Sequence, residues 1–246
     1  MTRRLAKPRI TRFRLPIGRV IGGKYVVEEF LGRGYEGEVY RVSEIRTGLP
    51  RAAKLFFPHR NLKDREARSY AIKLERLRHC PIVIQYHHAE TVLFQGVPVT
   101  CLISEYVDGM LLQNFITAHP GRRLPSFKAL HLLHGLVSGI EQIHLSGEYH
   151  GDLHTENIMV HPRGIFFDLK VVDFFNYGRS NPDRRLEDLF QLVTLLYEMT
   201  GGRRHYRNQP PEIKAICRGL RRDLICRRFP STSHLRDHLE YFDWTP

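Results

Sequence analysis

The chain has 246 residues, 42% hydrophobic and 26% charged, which is enough for one large domain or two small lobes of a globular protein. No apolar run approaches the roughly 18–20 residues that cross a bilayer, and the basic start MTRRLAKPRITRFRLP lacks the apolar core of a secretory signal. The formal charge is +12, and four scattered cysteines without a CxxC pair argue against a zinc ribbon and a disulfide framework, so a cytoplasmic protein with reduced thiols is expected.

Residues 1–20 read as a basic arm. Positions 1–24 carry eight Lys/Arg (Arg3, Arg4, Lys7, Arg9, Arg12, Arg14, Arg19, Lys24) and no acid, a charge that would suit an acidic partner or a solvated surface. KYVVEEFLGRGYEGEVYRV (24–42) then alternates apolar and polar residues around a glycine cluster, predicting two strands and a tight loop. RAAKLFF (51–57) is a third strand, and LKDREARSYAIKLERLR (62–78) sets Ala67, Tyr70, Ala71, Leu74 and Leu77 on one helical face. Residues 81–107 are β-rich, with a turn at Gln95-Gly96. From Asp108 the pattern becomes helical: 126–147, 184–202, 210–220 and 231–242, with two short strands around Pro162-Arg163-Gly164. The expected layout is an arm (1–20), a β-rich lobe (21–107), a hinge near 105–109 and a helical lobe (108–246).

Three stretches carry chemistry. Gly32, Gly34 and Gly37 with Val39 form G-x-G-x-x-G-x-V between strands. A dinucleotide fingerprint would instead open a helix, so these glycines read as a loop whose N–H groups approach phosphates. Lys54 sits in an apolar strand setting from which it would reach the α- and β-phosphates. HGDLHTEN (150–157) supplies Asp152 as a proton acceptor. Asn157 and Asp173 flank the 158–172 hairpin and offer the sparse oxygen ligation that Mg²⁺ prefers.

In this order the motifs LGRGYEGEVY, RAAK, SEYVDG, HGDLHTEN and VVDF resemble those of the eukaryotic-type protein kinase superfamily over about residues 22–243. The resemblance implies an α+β, bilobal protein-kinase-like fold with a β-rich N-lobe, a helical C-lobe and a reduced activation segment. It also implies ATP and Mg²⁺. Lys54 would hold the phosphates under the glycine loop, and Asn157 and Asp173 would hold the metal. Asp152 would orient the acceptor hydroxyl, Glu105 and Val107 would offer hinge backbone to adenine, and Ser104 would be the gatekeeper. Asp188 would brace the catalytic loop.

The departures matter as much. Gly151 replaces the arginine that reads activation-loop phosphorylation, and His154 replaces a lysine, as in aminoglycoside phosphotransferases. His154 would contact the γ-phosphate or serve packing. Phe175 replaces the glycine of Asp-Phe-Gly, and no APE motif fits before Asp188. Tyr70 falls where the family has its helix glutamate, leaving Glu66, one turn earlier, to pair with Lys54. Three readings result: a Ser/Thr protein kinase acting on a protein substrate, a small-molecule kinase, and a nucleotide-binding pseudokinase scaffold.

Overall fold

In the computed structural model, which describes residues 9–174 and 178–242, the chain divides into two units. The first runs to Arg78 and resumes over Ile84–Val107; the second takes His79–Val83 and the described chain from Asp108 onward. Phe175, Arg3, Arg4 and Lys7 lie outside the described residues.

The first unit is an antiparallel sheet beside one α-helix. Its elements are β1 (Val20–Ile21), β2 (Tyr25–Arg33), β3 (Gly37–Glu44), β4 (Pro50–Phe56), α1 (Arg65–Arg76), β5 (Tyr86–Phe94) and β6 (Val97–Glu105). The strand order is β1-β2-β3-β4-β6-β5. Gln95 and Gly96, at φ 50° and 74°, close the β5–β6 hairpin with the two left-handed residues such a tight turn requires. Helix α1 begins later than its apolar pattern predicts, because Lys63 and Asp64 adopt φ of 54° and 57° and interrupt the ladder.

The stretch 9–20 is not a separate arm. Ile10, Phe13 and Leu15 are buried with Val42, Leu55 and Phe57 in the core on one sheet face. The Phe13 ring stacks on Phe57 at 5.3 Å and meets Phe94 edge-on at 5.2 Å. The buried Glu38 carboxylate accepts from Phe13 N at 3.1 Å, Arg14 N at 3.3 Å and Tyr40 Oη at 2.5 Å. Burial and this carboxylate push the Tyr40 phenol up, so it remains the proton donor. The arm pattern concealed this because its apolar residues are widely spaced among arginines.

The second unit contains β7 (Met110–Leu111), α2 (Leu112–Thr117), α3 (Ser126–Leu145), β8 (Ile158–Arg163), β9 (Phe166–Val171), α4 (Pro182–Met199), α5 (Gly202–His205), α6 (Pro211–Cys217), α7 (Arg222–Arg228) and α8 (Thr232–Tyr241). Strands β7, β8 and β9 form a small antiparallel sheet. Helix α3 is its core, with Leu133, Leu136, Val137 and Ile140 fully buried. Gly139 lies on this helix where a Cβ would come within 2.4 Å of Ile82 Cδ1, so the glycine admits the 79–83 segment. Val171 N donates to Ile82 O at 2.8 Å, which fixes that segment in the second unit rather than among the β-rich residues. Helices α2, α5 and α7 add to those expected; α7 has Ile225 as its one buried residue and so little apolar periodicity. No described helix is long and apolar enough to cross a membrane.

Candidate active site

The expected residues divide between the units, with Gly32, Gly34, Gly37, Val39, Lys54, Glu66, Glu105 and Val107 in the first and Asp152, His154, Asn157 and Asp173 in the second.

In the first unit the glycine cluster joins β2 to β3. Gly37 is required by packing, since a Cβ there would stand 2.0 Å from Leu55 O. Gly32 and Gly34 have nothing within 4 Å of a would-be Cβ and no positive φ. The fold does not demand glycine at those two positions, where the backbone lies open. Lys54 lies in β4, opposite Val39 of β3 and Leu102 of β6. Its Nζ is 3.0 Å from Glu36 Oε2 in the glycine loop. The same ammonium stands 4.6 Å from the centroid of Tyr70 and 5.2 Å from that of Phe56.

Tyr70 therefore meets Lys54 with an aromatic face where the family has a carboxylate. The sequence expectation had paired Lys54 with Glu66, but Glu66 has no ion pair among the described residues. It sits in the first turn of α1, while Glu36 reaches Lys54 from the loop. The signal for Glu36 was available as the acid inside the glycine cluster itself. At the hinge, Glu105 N donates to Gln85 O at 2.8 Å and Glu105 Oε2 accepts from Gln85 N at 3.0 Å. Val107 has no backbone hydrogen bond among the described residues, so its N–H and carbonyl are available to a ligand.

In the second unit the catalytic-loop backbone hangs on a buried carboxylate. Asp188, fully buried in α4, accepts from His150 N at 2.7 Å and Gly151 N at 2.6 Å. It also lies 2.9 Å from His144 Nε2. Gly151 takes φ 85°, the left-handed geometry that lets both N–H groups face one carboxylate. The Asn157 amide donates to Asp152 O at 2.9 Å and to Asp152 Oδ2 at 3.2 Å, fixing the half-exposed carboxylate. His154 Nε2 is 3.6 Å from Asp152 Oδ2, beyond hydrogen-bond range.

His150, fully buried, was not singled out by its sequence context. Its Nδ1 accepts from Asp152 N at 3.2 Å, which places the ring hydrogen on Nε2, 3.1 Å from Val172 O. Its ring also packs 4.5 Å from that of Phe174. One imidazole thus ties the Asp152 loop to the Val172-Asp173-Phe174 strand end, and Val172 N donates to Asn157 O at 3.0 Å. Asp173 has φ 55°, a conformation that Asp tolerates. Beyond it, Asn181 accepts from Arg184 N at 2.9 Å and starts α4, so only 174–181 are left for an activation segment.

Residues 25–184 match the model of the protein kinase domain. The chain is 31% identical over 161 residues to CBL-interacting protein kinase 30 of Oryza sativa subsp. japonica, covering 63% of this chain and 31% of that protein. It is 32% identical over 165 residues to the probable serine/threonine-protein kinase SCO3848 of Streptomyces coelicolor, covering 63% of this chain and 23% of that protein. The chain thus spans about a third or less of these relatives. The crystal structure of the Mycobacterium tuberculosis PknI kinase domain superposes with a TM-score of 0.65 at 20% identity, over 92% of this chain and 98% of that one. That likeness speaks to the fold alone.

Proposed function

Because the chain belongs to the protein kinase family, we propose that it transfers the γ-phosphoryl group of ATP to a Ser or Thr hydroxyl of a protein. The observation that carries this reading is Asp152, clamped by Asn157 in a loop whose backbone hangs on buried Asp188. A carboxylate so fixed is organised to take a proton from an incoming hydroxyl. The hydroxyl oxygen bonds to the γ-phosphorus, the bond to the bridging oxygen of ADP breaks, and Asp152 takes the proton. Lys54 offsets charge on the phosphates, the open backbone at Gly32 and Gly34 covers them, and Glu105 and Val107 hold adenine. Catalysis is then mostly positioning and electrostatics.

Mg²⁺ fits the second-unit residues. Asn157 spends its N–H groups on Asp152, which leaves its Oδ1 as a ligand atom, and Asp173 would add a carboxylate. When bound, the ion neutralises phosphate charge. The four cysteines are free thiols, which suits a reducing, cytoplasmic setting. With only 174–181 available for a peptide platform, the protein acceptor is recognised by other surfaces. Tyr70 in place of the helix glutamate favours a second reading, a nucleotide-binding module without transfer.

The test is label transfer from γ-labelled Mg·ATP by wild type and Asp152→Ala, with the protein alone, a generic basic protein and a panel of hydroxylated small molecules. Label on protein that disappears in the variant is the expected result. Label confined to small molecules moves the acceptor class, and nucleotide binding without any transfer leaves the second reading.

A further inference from the structure

A cavity of about 430 Å³ opens in the first unit among Arg9, Thr11, Arg33, Gly34, Tyr35, Phe57, His59 and Arg60. That volume lies within the roughly 300–1,000 Å³ of small-molecule sites, too roomy for a lone oxyanion. Three arginines and a histidine line it, and no carboxylate does. The nearby acids are engaged elsewhere, Glu36 with Lys54 and Glu38 with the backbone of Phe13 and Arg14 and with Tyr40. Residues 1–8, which precede Arg9, contain no Asp or Glu.

Arg33, His59 and Arg60 are also held in place. Arg60 lies 3.8 Å over the Tyr35 ring and hydrogen-bonds its hydroxyl, and Arg33 lies 5.6 Å over Phe57. The His59 ring stacks on Phe57. Burial first, and then the charges of Arg9 and Arg60, hold its pKa below the ordinary histidine value. Such a cluster of preordered arginines without carboxylates is an arrangement for binding an anion with forked hydrogen bonds.

The cavity is distinct from the nucleotide residues. Ala53, Leu55 and Phe57 belong to the sheet face covered by the arm, whereas Lys54 lies between them on the opposite face. The geometry points to a second anion site that takes a phosphomonoester, its phosphoryl group against Arg9, Arg33 and Arg60 and its carrier against the exposed ring of Tyr35. The occupant joins the N-terminal segment, the glycine loop at 33–35 and the 57–60 segment, and so steadies the loop from the side away from Lys54.

The test is calorimetric titration of the full chain with phenyl phosphate, without nucleotide or Mg²⁺, with inorganic phosphate and phenol as the parts of the probe. Wild type should bind phenyl phosphate saturably, and phenol should not bind. Arg9→Ala/Arg60→Ala should bind at least about tenfold more weakly, because each substitution removes a charge-assisted hydrogen bond to the phosphoryl group. The single variant Arg9→Ala, at an exposed position, keeps the test valid if the double variant fails to fold. Arg203→Ala/Arg204→Ala, with equal charge loss elsewhere, and Lys54→Ala should bind like wild type. No binding by wild type overturns the site, as does loss in Lys54→Ala with retention in the Arg9 and Arg60 variants, or equal loss in the Arg203/Arg204 control. Preincubation with Mg·ATP separates the sources. If it phosphorylates the chain and abolishes probe uptake, the occupant is the chain's own phosphoryl group; if uptake persists, the occupant is another molecule.

Discussion

Asp152 and Lys54 are the two charged groups on which the proposed reaction turns, and the chain supports them in opposite ways. Around Asp152 the support is buried: Asp188 from α4 holds the loop backbone, and His150 and Asn157 within the loop hold the Asp152 backbone and carboxylate. Around Lys54 the support is partly exposed and assembled from a glycine loop, through Glu36, and from the ring of Tyr70. A group held by buried hydrogen bonds has one position, because any other leaves donors unsatisfied at a cost of about 1–3 kcal/mol each. A lysine held by a loop carboxylate and an aromatic face can exchange partners. In the proposed reaction the loop carboxylate must yield if phosphates take its place, which would make Glu36 a placeholder for the nucleotide.

This contrast can be broken from either side. The largest expected effect is chemical: Asp152→Asn should lower transfer by about 10²–10⁴-fold while nucleotide affinity changes little. Equal loss of both in a titration would show that Asp152 works through folding. Next, Asp188→Ala strands the N–H groups of His150 and Gly151 in the interior and should cost about 3–5 kcal/mol in urea unfolding. A loss below about 1 kcal/mol would mean that the loop does not depend on this carboxylate.

Smaller effects test the Lys54 side. Gly37→Ala drives a methyl group into Leu55 O and should destabilise the chain by about 1–3 kcal/mol, whereas Gly34→Ala should leave thermal stability within about 0.5 kcal/mol. Gly34→Ala should instead weaken nucleotide binding, and similar melting losses for the two would contradict the open-space argument. Glu36→Gln should change nucleotide affinity or KM by about tenfold or less, near 1.4 kcal/mol. Tyr70→Glu in that background restores a carboxylate on α1 and should recover orientation of Lys54. If the double variant behaves no better than Glu36→Gln, Tyr70 is not the residue facing Lys54.

Much of the architecture was legible because period-2 and period-3.6 patterns are local. Strands β2, β3 and β4, the Gln95-Gly96 turn and helices α1, α3 and α4 all follow from alternation, glycine pairs and apolar stripes. The brace at Asp188 followed from its place in a resembling helix. Contacts set by three-dimensional closure were not legible. The exchange of Glu66 for Glu36 depends on where α1 starts, and two left-handed residues before it, Lys63 and Asp64, decide that. His150 looked like a residue beside a turn, and only its two ring contacts reveal the tie to Val172. Ile10, Phe13 and Leu15 were masked by the arginines between them.

The position of those three side chains bears on how the protein could be cut. A fragment restricted to 25–184, the span that matches the kinase domain, keeps the glycine loop, Lys54, Asp152, Asn157 and Asp173. It discards Ile10, Phe13 and Leu15 from one core and ends before Asp188, the anchor of the other unit's loop. The motif residues would remain, without the buried carboxylate that holds the Asp152 loop and without the three side chains that complete the first unit's core.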